Sequence, residues 1–130
     1  MNTDNFTGRC EATFMFNGNP AGEDFSADNL YFERRAFQAK QGVRVIQINY
    51  GEDLEPGTKP LVFSGREDDF PIFEYHDSQG RKRLSGTGEV TIGENLDHQK
   101  GSFDMTMVDN IGRLIAVKGV FDVSYEVKKS

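Results

Sequence analysis

From Lys100 to Glu126 the chain alternates apolar and polar residues with few breaks, as KGSFDMTMVDNIGRLIAVKGVFDVSYE. A two-residue period over so long a stretch marks half-buried β-strands, and DNIGR, Asp109 to Arg113, reads as the turn between two of them. With Asp first and Gly fourth, this turn suits a type I geometry followed by a left-handed glycine and a bulge. Such closure sets Met107 opposite Ile115, Met105 opposite Val117, Phe103 opposite Gly119 and Gly101 opposite Phe121. Each phenylalanine then covers the bare backbone of the glycine across from it. Phe103, Met105, Met107, Ile115, Val117, Phe121, Val123, Tyr125 and Val127 share the core face. Ser102, Asp104, Thr106, Lys118, Asp122, Ser124 and Glu126 share the wet face, with Leu114, Ala116 and Val120 as exceptions.

DSQGR, Asp77 to Arg81, repeats the same turn chemistry. Closed in the same way, it sets Tyr75 opposite Arg83, Phe73 opposite Ser85, Ile72 opposite Gly86 and Phe70 opposite Gly88. Leu84, Gly86, Gly88, Val90 and Ile92 form the inward set, with Phe70 and Ile72 above them. Phe73, Tyr75, Arg83 and Ser85 project to the other side, where an aromatic row ending in an arginine is a candidate ligand-binding strip. His76 is close to it in sequence and points the other way. The competing reading packs that strip under the Leu30 to Ala39 segment.

Elsewhere turn signals recur at short intervals and no long segment holds a helical period. Arg9 to Asn17 reads as a first strand with Cys10, Ala12, Phe14 and Phe16 on one face, followed by the loop NGNPAGED. DNLYFERRAFQAK admits either a short helix capped by Asp28 or a strand with Leu30 and Phe32 inward, and its aromatic content favours the strand. Val43 to Tyr50 reads as a strand covered on both sides. Gly51 to Pro60 is a loop, Leu61 to Ser64 a short strand, and GREDDFP a second acidic loop. The expected architecture is a single antiparallel all-β domain over residues 1–130, of about seven to nine strands, either a two-sheet sandwich or a closed calycin-like barrel. In either form the first strand can pair with the last.

Composition narrows the function classes. With 11 Phe and 4 Tyr against no Trp, aromatic rings must supply much of the buried area. A net charge of −6 argues against nucleic acid and anionic membranes as partners, since both need clustered Lys and Arg, and only Arg81 to Arg83 form a basic run. No apolar window is long enough to span a bilayer, and MNTDNFTGRC lacks a basic region followed by an apolar run, so the cytoplasm is the expected address. Cys10, the single cysteine, forms no internal disulfide and reads as a small core residue rather than a nucleophile.

Candidate chemistry is sparse. Glu52, Asp53 and Glu55 with Glu67, Asp68 and Asp69 lack the regular spacing and glycine of a calcium loop, so they read as solvated loops able to face a basic protein. His98 lies in the loop ENLDHQK with no assignable nucleophile, and GTGEV sits within a strand, which makes it no phosphate loop. No cofactor or metal is expected, and enzymatic activity is not favoured.

GSFDMTMVDNIGRLIAVKGVFDV resembles the closing segment of several small uncharacterised bacterial all-β families, in which a GxF strand, an Asp/Gly turn and a strand ending GxFxV follow one another. The resemblance implies a bacterial or phage origin and a sandwich or barrel, and it carries no active residues. Two functional readings follow. One is a non-enzymatic binding or interaction module, of accessory, immunity or inhibitor type, whose acidic loops meet a basic partner. The other is a barrel that binds or isomerises a small apolar ligand, with Phe73, Tyr75, His76 and Arg83 as the ligand-binding group. An apolar cavity of roughly 300 Å³ or more with polar groups at one end is the observation that favours the second.

Overall fold

Asp109 closes its hairpin by replacing backbone acceptors with a carboxylate. Its Oδ1 accepts from the N–H groups of Ile111 at 3.1 Å and Arg113 at 2.8 Å, and Gly112, at φ +88°, donates to the Asp109 carbonyl. The register that follows is the expected one throughout, including Phe103 opposite Gly119 and Gly101 opposite Phe121.

The computed structural model describes residues 4–127, and all regular structure in them is β, with no helix. In chain order the strands are β1 (Asp4–Phe16), β2 (Asn19–Pro20), β3 (Phe25–Ala27), β4 (Asn29–Glu33), β5 (Ala36–Gln41), β6 (Arg44–Asn49), β7 (Gly57–Phe63), β8 (Ile72–Asp77), β9 (Gly80–Ile92), β10 (His98–Val108) and β11 (Leu114–Val127). They form one antiparallel sheet in the order β2-β1-β11-β10-β9-β8-β6-β5-β4, with β3 on β1 and β7 on β9. The first long strand pairs with the last, from Asp4 opposite Val127 to Met15 opposite Ala116.

Two corners curl this sheet into a barrel-like shape. β9 pairs with β8 over Gly80–Leu84 and with β7 over Gly86–Ile92, so it turns from one wall to the next at Ser85–Gly86. On the opposite side Phe25–Glu33 runs nearly unbroken through Asp28, pairing first with β1 and then with β5. Strands that change partners at a bend are the usual way to make such corners.

The interior is a lattice of rings and small residues. One inward row runs Leu61, Gly88, Phe103, Gly119, Ala12, Phe25 across six strands; its neighbour runs Val90, Gly101, Phe121, Cys10, Ala27. A Cβ on Gly119 would lie 2.6 Å from Phe103 Cζ, and one on Gly101 would lie 2.6 Å from Phe121 Cζ, so each ring occupies the volume its partner leaves. From the facing wall Phe37 stacks on Phe121 with centroids 4.0 Å apart, and Phe73 meets Phe103 at 4.9 Å.

Several expectations are corrected. DSQGR closes one residue tighter than DNIGR: Asp77 pairs with Gly80, Tyr75 with Lys82, Glu74 with Arg83 and Phe73 with Leu84. A one-residue slip exchanges the faces of a strand. Phe73 and Tyr75 therefore point into the core, while Phe70 is 50% exposed and Ile72 is half-buried. Gly86 and Gly88 are paired with Phe63 and Leu61 of β7, not with Ile72 and Phe70. Leu30 to Ala39 is two strands joined by a turn at Arg34 and Arg35, with Leu30 and Phe32 buried as the strand reading required. β6 is covered on one side only, with Ile46 and Ile48 buried and Val43 just ahead of it 70% exposed. β7 begins at Gly57, inside the expected loop, and carries Pro60 as an edge strand can. His98 opens β10 rather than lying in the preceding loop. The core-face residues of β10 and β11 are placed as expected, with Met107 and Tyr125 half-buried; the Val127 side chain lies outside the described residues.

Gly119→Val drives a branched side chain into the Phe103 ring and the Glu11 carbonyl, and Phe103→Ala empties the same space. Each is expected to cost more than about 1 kcal/mol in urea unfolding; near-neutral values for both would refute the ring-over-glycine packing.

Candidate functional site

Apolar inward positions do not run to both ends of the strands. At the end formed by the β8–β9 and β10–β11 turns, the last inward position of each strand is charged or lies under a charge. Arg44 precedes Ile46 on β6, Asp77 follows Tyr75 on β8, Lys82 precedes Leu84 on β9, Asp109 follows Met107, and Arg113 precedes Ile115. Beneath that layer, Phe14, Tyr75, Met107 and Ile115 form an apolar floor. Together with residues 21–23 and the 77–79 turn these groups line an open cleft of about 450 Å³ at the mouth of the barrel.

Each group is held by its own partners. Arg44 donates from Nε to Tyr75 Oη at 2.9 Å, from one terminal nitrogen to the Asp24 carbonyl at 2.9 Å and from the other to the Glu23 carbonyl at 2.8 Å. Its guanidinium lies 5.3 Å from the Phe14 ring centre and 5.4 Å from that of Phe25, within cation–π range. Lys82 Nζ donates to Asn110 Oδ1 at 2.8 Å, and Asn110 donates to Gln79 Oε1, so the two hairpin turns are tied side by side. Arg113 Nε donates to Asp109 Oδ2 at 2.7 Å while its guanidinium covers Phe16. Partial desolvation acts to raise the Asp109 pKa, but the Arg113 and Ile111 hydrogen bonds and the Arg113 charge outweigh it and hold the carboxyl below its ordinary range.

The opposite end is sealed. Gln99, 1% exposed, accepts from Tyr50 Oη at 3.1 Å and donates to the Glu33 carbonyl at 2.8 Å, joining β10 to the far wall. Burial pushes the Tyr50 pKa up, so the phenol stays a donor. Leu54 inserts into the core, and its loop is latched to the β4–β5 turn by Leu54 N–H to the Arg34 carbonyl and Arg34 Nε to the Leu54 carbonyl.

The residues singled out from sequence separate in space. Of Phe73, Tyr75, His76 and Arg83, only Tyr75 reaches the cleft; Phe73 is fully buried in the core. His76 and Arg83 lie on the outer face around Glu74, which accepts from Arg83 at 2.7 Å and lies 3.5 Å from His76 Nε2. Desolvation acts to raise the Glu74 pKa, but Arg83, Arg81 and His76 outweigh it and hold the carboxyl below its ordinary value. The hydrogen bond to Glu74 leads the causes that raise Arg83, with Glu67 and Asp68 adding to the field. Glu52, Asp53 and Glu55 are each met by a cation of the same chain, Lys59, Arg35 and Arg34. Glu67, Asp68 and Asp69 are exposed, with no ion pair among the described residues.

Sequence reasoning missed the mouth residues for an identifiable reason. Asp109 and Arg113 read as turn residues, a role they do perform, and Lys82 as part of a basic run; the usable signal was a charge at the inward parity at one end of β6, β8 and β9 and flanking β10 and β11. Cys10 is buried, and burial foremost, with the Glu11 carboxylate adding, pushes its thiol up to about 12, so it stays protonated at neutral pH. His98 Nε2 bonds Asp122 Oδ1 at 2.6 Å on the outer face. Among the described residues no helix is long and apolar enough to cross a membrane.

Fold and cleft together define an antiparallel, barrel-like all-β domain with one sealed end and one charged, open end. No protein-family model matches the chain, and no curated protein is significantly similar to it.

Because Glu74 has a lowered folded pKa, its stabilising contribution is fully present above the unfolded value of about 4.3 and is lost as pH falls through the folded one. Glu74→Gln is therefore expected to be less stable than the wild type by about 1 kcal/mol or more at neutral pH. The gap should narrow in urea titrations below about pH 4.3; a gap independent of pH would exclude the ion-pair account.

Proposed function

We propose that the chain is a non-enzymatic binding domain that takes a small, largely apolar ligand into the mouth cleft. The observation that carries this is the pairing of an apolar floor with a polar rim in a space of about 450 Å³, within the usual range of small-molecule sites. The lining includes neither His nor Cys, so it holds neither an imidazole base nor a thiol nucleophile. A cytoplasmic setting belongs to the same proposal, because the chain carries one unpaired cysteine. A second reading, an interaction module for a basic protein, keeps one specific support: the exposed, unpaired Glu67, Asp68 and Asp69 loop.

The neutral apolar fluorophore N-phenyl-1-naphthylamine tests the first reading. It should bind the wild type saturably. Met107→Trp, which fills the floor from a half-buried position, should weaken binding about tenfold or more while leaving the melting temperature within about 3 °C. Absent binding, or unchanged affinity in the variant, would remove the cleft as the site.

A further inference from the structure

The charged layer over the floor holds three cations, Arg44, Lys82 and Arg113, and three carboxylates, Glu23, Asp77 and Asp109, but they are unevenly satisfied. Among its carboxylates, Asp109 is answered by Arg113 Nε and by the N–H groups of Ile111 and Arg113, and Asp77 accepts from the Gln79 N–H at 2.8 Å. Glu23 sits on an exposed loop whose carbonyl, not its carboxylate, faces Arg44. Among its cations, only Arg113 is paired with a carboxylate. Arg44 bonds to neutral oxygens alone. Lys82 bonds to the Asn110 amide alone, leaving two of its three N–H donors free, and no carboxylate lies within ion-pair distance of it among the described residues. Lys82 also occupies an inward position opposite Tyr75, so its ammonium stands at the edge of the apolar floor rather than on the outer wall. The formal charges of this lining cancel, so what distinguishes the mouth is position: Lys82 is the cation there that keeps free donors and has no carboxylate beside it.

Resting on the cleft reading, we propose that the ligand is an organic acid. Its carboxylate accepts hydrogen bonds from Lys82 Nζ, with the Arg44 charge behind, and its apolar body lies on Phe14, Tyr75, Met107 and Ile115. A charge-assisted bond of this kind is stronger than the bond a neutral hydroxyl makes, which gives the site a preference for acid over alcohol.

Competition against N-phenyl-1-naphthylamine with sodium decanoate and 1-decanol, which share one chain and differ in head group, separates the two readings. At neutral pH the wild type should bind decanoate at least about tenfold tighter than decanol. Lys82→Met should lose that preference and keep its decanol affinity, Lys82→Arg should retain it, and added salt should shrink it at this open mouth. Equal or absent competition by the two amphiphiles in the wild type, or a preference that survives in Lys82→Met, overturns the acid proposal. If the dye still binds and Met107→Trp still weakens its binding, the cleft itself stands. A wild type that binds no dye takes both readings down.

Discussion

Curling a sheet tightly brings the inward Cβ atoms of neighbouring strands together, and the space per inward residue falls as the curvature rises. This chain meets that constraint by setting a large ring beside a missing or minimal side chain across the curl. Phe103 lies between Gly88 and Gly119, and Phe121 lies between Gly101 and Cys10. Uniformly medium-sized residues could not satisfy the same geometry, because the glycine backbones are approached to contact by the rings opposite. The facing wall then packs onto the rings, Phe37 on Phe121 and Phe73 on Phe103, and Phe63 of β7 meets Phe73 from the first wall. A chain of 130 residues with a modest apolar fraction thus fills its interior from few positions, since each aromatic ring carries a large buried area.

A filled interior decides what the ends can do. At the sealed end a buried amide, a phenol and Leu54 complete the packing, with every polar atom of Gln99 named above engaged. At the other end the rings stop one layer short, and charges follow. The cleft is consequently shallow, floored by Phe14, Tyr75, Met107 and Ile115 rather than continuing between the walls. What rests there lies across the strand ends, which keeps one side of it in water and places selection on the head group as much as on the apolar body.

The β10–β11 hairpin was legible from sequence to the residue because turn chemistry and apolar parity agree there. In DSQGR they conflict. Turn grammar alone sets Phe73 and Tyr75 against Ser85 and Arg83, whereas the parity of the apolar residues, odd on β8 and even on β9, requires Phe73 to meet Leu84. Burial of two rings exceeds the small preference between turn types, so the turn tightens. The functional strip inferred from the wrong register dissolved with it, and only Tyr75 passed into the cleft. The cleft residues themselves were hidden because their assembly depends on Arg44, Lys82 and Arg113, which come from strands far apart in the chain. Nothing in a local window relates them.

Pairing β1 with β11 also orders events in time. β11 is synthesised after every other described strand, yet it supplies the partner for β1 along nearly its whole length. Until then β1 has only the short β2 and β3 on its other side. The curl cannot be completed from one end as the chain emerges, and its first long strand waits with an open edge for its last. Non-local closure of this kind makes folding slow and leaves the growing chain open to edge pairing with other chains. The alternation that protects the finished barrel is, during synthesis, the exposed template.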